Sequence, residues 1–134
     1  MTDDQKKRQV LERCKTIAVV GLSDKPQKPS HRIAEYLQSA GYRIVPINPN
    51  LDTVLGEKAY PDLESVPFPV DLVDVFRKQE EVTAVVTEAL AINPQAIWLQ
   101  LGLEYEGAKD QLEIQDTKLI ENCCMMVEHK RLMA

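Results

Sequence analysis

Short apolar runs alternate with segments of helical period along most of this chain. The runs TIAVV (16–20), YRIVPI (42–47), DLVDVF (71–76), AIWLQL (96–101) and KLIENCCMMV (118–127) suit strands buried on both faces. Between the first two, Ile33, Tyr36, Leu37 and Ala40 fall at i, i+3, i+4 and i+7, which predicts a helix packed on a sheet and ended by Gly41. Between the third and fourth, Val82, Val85, Val86 and Ala89 repeat the spacing. Glu80 and Glu81 fall in that helix's first turn, where the dipole favours them, and Asn93 and Pro94 stop it. Tyr105, Ala108 and Leu112 predict a third, more charged helix, with Glu104 and Glu106 in its first turn. Val10, Leu11 and Cys14 predict a short opening helix laid over the sheet. The stretch EKAYPDLESVPFP (57–69) holds three prolines, which exclude a long regular element. It fits a brief strand near Lys58–Tyr60 and a helical turn at Asp62–Val66. Strand and helix in alternation signal βαβ units. The expected fold is α/β: a doubly wound, mainly parallel sheet of five to six strands with helices on both faces.

Length and composition narrow this further. At 134 residues and 44% hydrophobic, the chain fills one core and is too short for two ordinary domains. The expectation is one domain over 1–134, with 1–14 as a helix packed on it. No run of about 18 apolar residues spans a bilayer, and MTDDQKKRQVLERC lacks the apolar centre of a signal peptide. A soluble, cytoplasmic protein with no membrane partner is expected. Cys14, Cys123 and Cys124 form no CxxC pair, so reduced thiols and no metal site are expected. A formal charge of −5 argues against nucleic acid, which needs a basic face to displace counterions. A small anion remains compatible, because Lys and Arg can cluster locally on an acidic protein.

In open α/β sheets the ligand crevice lies beyond the carboxyl ends of the strands, where strand order reverses. The loops to read are therefore GLSDKPQKPS, NPNLDTVLGE, RKQ and GLEY. Gly21 directly follows the first strand, where the backbone must turn and can approach a ligand closely. Ser30 is placed as the N-cap of the next helix, whose free N–H groups favour an anion. Lys25, Lys28 and Arg32 add positive charge within the same dozen residues. Each alone reads as a solvated side chain; their clustering at a strand-to-helix turn favours an anion seat. The loop lacks the second and third glycines of G-x-G-x-x-G, and Asn48 stands where the ribose-binding carboxylate would fall, which disfavours a dinucleotide. No P-loop pattern is present. Pro46 and Pro49 hold the backbone extended around Asn48, either as a rim for an adenine or as the end of an edge strand. His31 reads as a ligand contact or as a solvated helix-end residue. His129 reads as a surface or tail-packing residue. Cys123 and Cys124 with His129 admit a thiol nucleophile and base, but two small hydrophobes alternating on a strand is the preferred reading. No catalytic set is assigned.

Taken together, IAVVGLS, KPS, AEYLQSAGYRIVPINP, LGEKAYPDLESVP, VDLVDVFRK, AIWLQLG and MMVEHKRL resemble the small single-domain bacterial CoA-binding proteins. These are similar to the N-terminal CoA-binding domain of the succinyl-CoA synthetase α subunit. The resemblance runs from Lys15 to Leu132. It implies a Rossmann-like domain that holds coenzyme A, or a short acyl-CoA, across the strand ends. Gly21, Leu22 and Ser23, with Lys28, Pro29 and Ser30, would receive the phosphates. Pro46, Asn48 and Pro49 would flank the adenosine, Val75, Phe76 and Arg77 would line the third side, and Gln100 and Gly102 would lie near the pantetheine arm. Lys28 stands where family members often carry Arg, and Asn50 near where the synthetases have a lysine. The synthetase's phosphorylated histidine belongs to a second domain that has no counterpart here. The implied function is CoA binding without catalysis. Its rivals are a subunit of an acyl-CoA ligase or hydrolase, and an NAD(P)-binding redox domain. The apolar tail CCMMV offers a contact for a protein partner or a second copy.

Overall fold

The computed structural model describes residues 1–133. In chain order the elements are α1 (Asp3–Arg13), β1 (Thr16–Val20), α2 (Pro29–Ser39), β2 (Arg43–Ile47), β3 (Thr53–Val54), β4 (Glu57–Lys58), β5 (Leu72–Val75), α3 (Val82–Ala91), β6 (Ala96–Leu99), α4 (Asp110–Ile114), β7 (Lys118–Ile120) and α5 (Met125–Met133). A single 3-10 turn, Gln79–Glu81, leads into α3. Five strands form one sheet in the order β2-β1-β5-β6-β7, and every pairing is parallel. The chain runs outward from β1 to β2, then returns to add β5 on the other flank of β1. Strand order therefore reverses between β1 and β5, and the fold is the expected Rossmann-like α/β architecture.

Successive residues along each strand feed opposite faces of the sheet. Ile17, Val19, Ile44, Leu72, Trp98 and Ile120 pack with Val10, Leu11, Ile33, Leu37 and Met125 of α1, α2 and α5. Ala18, Val20, Val45, Val73, Val75, Ile97 and Leu99 pack with Val82, Val85, Val86 and Ala89 of α3 and with Leu112 of α4. Each fully buried valine or leucine contributes about 1.5–3 kcal/mol. α1 starts at a capping box: Gln5 N donates to Thr2 Oγ1 and Thr2 N to Gln5 Oε1. It is tied to α5 by Lys7 Nζ–Glu128 Oε1 at 2.7 Å and by Arg131–Asp4 at 2.8 Å. His129 of α5 packs edge-on against Tyr36 and Tyr42, and its Nδ1 lies 2.7 Å from Tyr36 Oη.

The expected run at 118–127 is a strand only as far as Ile120. The side chains of Glu121 and Asn122 turn to the neighbouring loop, accepting from Tyr105 N and Gly102 N, both at 2.7 Å. Asn122 takes φ of 54°, which bends the chain off the sheet, and the apolar residues that follow begin α5. Cys123 and Cys124 thus sit half-buried on a bend rather than alternating on a strand. The expected third helix contracts to Asp110–Ile114. Upstream of it, both backbone groups of Glu104 are taken by the Gln79 side chain, at 2.9 and 2.7 Å, which removes them from any helical ladder. Tyr105, Ala108, Glu104 and Glu106 are consequently loop residues. Lys58 belongs to the separate β3–β4 hairpin, leaving the main sheet with five strands. Tyr60 makes one parallel bridge to β2, its N donating to Pro46 O and its O accepting from Asn48 N, both at 2.9 Å. Pro46 is tolerated because β2 is the edge strand of the main sheet, where the missing N–H faces outward. Asp62–Val66 is a turn rather than a helix, closed by Ser65 on Asp62 Oδ1. In α2, Ala40 is exposed at the C-cap, and Ala34 fills the buried stripe instead.

Candidate functional site

Gly21 stands at the point where strand order reverses. Its N donates to Ile47 O at 3.0 Å, and its φ is 88°. A Cβ at this position would fall 2.1 Å from Phe76 O, so the ends of β1 and β5 approach as closely as they do only because the residue is glycine. The crevice that opens above it has a volume of about 520 Å³. Gly21, Ser23 and Ser30 line one side, Phe76 and Arg77 another, and Gln100 with Leu101 and Leu103 a third.

Lys28, not Ser30, is the N-cap of α2, and Pro29 takes the first helical position. The long loop reaches the helix at Lys28 because a proline is favoured at N1. Ser30 is left inside the first turn, buried, where its Oγ accepts from Ser23 N at 3.0 Å and closes the loop on itself. Lys28 O takes the N–H groups of His31 and Arg32. Pro29 has no N–H, so that of Ser30 is the first-turn donor without a partner among the described residues. Lys28, Arg77 and Lys78 put three cations around the same crevice, and Glu81 one carboxylate.

The floor is polar. Gln100 is buried, donates from Nε2 to Asp74 Oδ1, and accepts from Met125 N at 3.3 Å. It thereby joins β6 to the first turn of α5. Asp74 is wholly buried, and its Oδ2 has no partner. Burial pushes this carboxyl up to about 7, against the opposing hydrogen bond from Gln100.

Of the residues singled out from the sequence, Gly21, Ser23, Lys28, Pro29, Ser30, Phe76, Arg77 and Gln100 converge on this crevice. The others do not line it. Leu22 and Val75 are core residues with no exposed surface, and Pro46 is buried in β2. Lys25 is exposed on the loop, and Arg32 donates back to Gln27 O at 2.6 Å. Asn48 uses its amide internally: Nδ2 donates to Leu22 O at 3.1 Å and Oδ1 accepts from Asn50 N at 2.9 Å. It pins the loops after β1 and β2 together, with Pro49 exposed beside it. Gly102 is exposed next to the rim at φ of 90°. His31 is buried rather than solvated, and its Nδ1 has no partner. Lys78, Glu81, Leu101, Leu103 and the Asp74 beneath were not among the expected residues. The signal for Glu81 was its place four residues after Arg77, and that for Asp74 was a lone carboxylate inside LVDV.

A second crevice, of about 240 Å³, lies at the other end of the sheet, lined by Arg13, Asn93, Gln95, Asp116 and Lys118 among others. The carboxyl ends of α1, α3 and α4 run into it, and the partial negative charge there disfavours an anion. Burial raises the Cys123 thiol above its ordinary value, with Lys7 opposing, which lowers the thiolate fraction.

Fold and crevice together define a Rossmann-like α/β domain with a cation-rimmed cleft at its topological switch point. Residues 15–130 match the family described as CoA binding domain, and the chain belongs to it. Uncharacterized protein YneT of Bacillus subtilis is 40% identical over 122 residues, covering 91% of this chain and 90% of that one. The solved structure of a hypothetical protein from Pyrococcus horikoshii OT3 superposes with a TM-score of 0.92 at 32% identity, covering 99% and 94% of the two chains. ADP-forming acetate-CoA ligase II of Archaeoglobus fulgidus is 32% identical over 98 residues, which are 71% of this chain but 15% of the ligase.

Proposed function

We propose that this chain, as a single domain, binds coenzyme A or a short acyl-CoA in the switch-point crevice and carries no catalytic set of its own. The observation that supports this most is the convergence of the Gly21 turn, the α2 amino terminus and three cations on one crevice. A diphosphate placed over Gly21 would accept from Ser30 N and face Lys28, Arg77 and Lys78. The crevice volume of about 520 Å³ lies within the range of small-ligand sites, roughly 300–1,000 Å³. Leu101, 74% exposed at the rim, and Leu103 beside it would cover the apolar part of a pantetheine arm. In this reading Asn48, Leu22 and Val75 hold the frame, while Pro49 and Lys25 stand outside the contact surface. The match to a short portion of an acetate-CoA ligase favours a second possibility, in which a partner chain acts on the bound thioester.

The test is thermal unfolding with CoA, dephospho-CoA, NAD and ATP in parallel. A ligand at a hundredfold excess over its Kd stabilises by about 2.7 kcal/mol, so CoA should raise the midpoint by several degrees. NAD should leave it unchanged, and Lys28→Glu together with added salt should weaken the CoA effect. Stabilisation by NAD in place of CoA would overturn the reading.

A further inference from the structure

Arg77, on the loop after β5, and Glu81, four residues on at the end of the 3-10 turn, both line the crevice. Arg77 Nε donates to Glu81 Oε2 at 2.6 Å, and Nη2 lies 2.5 Å from the same oxygen. The Nε/Nη2 edge is the one through which a guanidinium grips a phosphate with two parallel hydrogen bonds. An anion entering the crevice therefore meets an arginine whose paired edge is already taken. The stem passes over the turn: Arg77 Cδ lies 3.2 Å from where a Cβ on Gly21 would stand. The Glu81 backbone is fixed as the last residue of the 3-10 turn and the N-cap of α3, with its N donating to Lys78 O at 2.9 Å.

We infer that Glu81 is a latch on Arg77 that sets how much negative charge a ligand must bring. The identity of that ligand rests on the coenzyme reading above. Binding exchanges the Glu81 carboxylate for phosphate oxygens on the same guanidinium edge, and the released carboxylate turns to water. Both side chains are partly exposed, at 41% and 34%, so the pair is weak enough to exchange. A single anionic charge gains little by replacing one carboxylate with another. A ligand with several phosphate charges, which also meets Lys28 and Lys78, gains more. Glu81 thus discriminates polyphosphates from monoanionic metabolites at a site that three cations alone would leave indiscriminate.

The experiment is a double-mutant cycle of wild type, Glu81→Gln, Arg77→Gln and the double variant. Each is titrated calorimetrically with CoA and with inorganic pyrophosphate. Glu81→Gln should tighten both ligands about two- to fivefold. In the Arg77→Gln background the same change should shift affinity by less than about 1.5-fold, since the interaction between the two sites is what the cycle isolates. Weaker binding in Glu81→Gln would overturn the latch, as the carboxylate would then be a ligand contact. Equal tightening in both backgrounds would also overturn it, leaving simple charge repulsion. Pyrophosphate binding without CoA binding would overturn the coenzyme assignment while the pyrophosphate cycle still decides the latch. If neither anion binds the wild type, both readings are overturned.

Discussion

Asp74 is buried in the middle strand of the sheet with one oxygen bonded to Gln100 and the other unpartnered, and its ionisation must oppose folding. In the unfolded chain the carboxyl titrates at its ordinary 3.8; in the fold, burial moves it to about 7. Between these values the folded state holds a proton that the unfolded state has released, so stability falls as pH rises through this window and levels off above it. Integrated from pH 5 to pH 8, the loss is roughly 2–3 kcal/mol. For a chain of 134 residues this lowers the unfolding midpoint by about 9 °C. Asp74→Asn keeps the acceptor for Gln100 and removes the titration. At pH 5 the protonated wild-type carboxyl buries one unpaired O–H and the variant amide two unpaired N–H groups, so the variant should be the less stable there by about 1–3 kcal/mol. From pH 5 to pH 8 the difference should move in the variant's favour by roughly 2–3 kcal/mol. Urea unfolding of both proteins at half-unit pH steps reads this difference, and other titrating groups cancel in the subtraction. A difference that stays constant from pH 5 to pH 8 would refute the reasoning.

Gly21→Ala forces a Cβ to 2.1 Å from Phe76 O at a φ of 88°, so it should destabilise by roughly 3 kcal/mol or more and abolish anion binding, read by thermal unfolding and calorimetry. Lys7→Ala leaves Glu128 with Arg131 as its remaining cation and should lower unfolding free energy by about 2 kcal/mol, measured in urea. Burial holds His129 below its ordinary value, so its contribution is present at neutral pH and lost as pH falls below about 6.5. Tyr36→Phe removes the hydrogen-bond partner of His129 Nδ1 and should destabilise by about 1 kcal/mol, measured in urea at pH 7.5.

The sheet was legible because a parallel sheet covered on both faces needs continuous apolar strands, and four of the five runs coincide with strands β1, β2, β5 and β6. The helices with a clear stripe, α2 and α3, were equally legible. Misreading began where side chains compete for the backbone. Gln79 captures both backbone groups of Glu104, and Asn122 bends the chain before Cys123; neither contact leaves a periodic trace. At the crevice, the Gly21 turn, Lys28 and Arg77 follow directly from strand ends. Asn48 did not: its residue type advertises a free amide, and only the fold shows both ends engaged. Ser30 has the chemistry of an N-cap, but Pro29 before it moved the cap to Lys28. Asp74 was hidden because a carboxylate inside LVDV breaks no element, and its isolation is a property of the packed core.

A bound coenzyme A molecule should sit in the crevice above Gly21. Titration of isotopically labelled protein with CoA, followed through its backbone amide resonances, should shift the amides of Gly21, Ser23, Ser30, Arg77 and Lys78 and those bordering Leu101. Resonances near Asn93, Gln95 and Asp116 at the opposite end of the sheet should stay fixed. Shifts confined to that opposite end, or none at saturating coenzyme, would contradict the central claim.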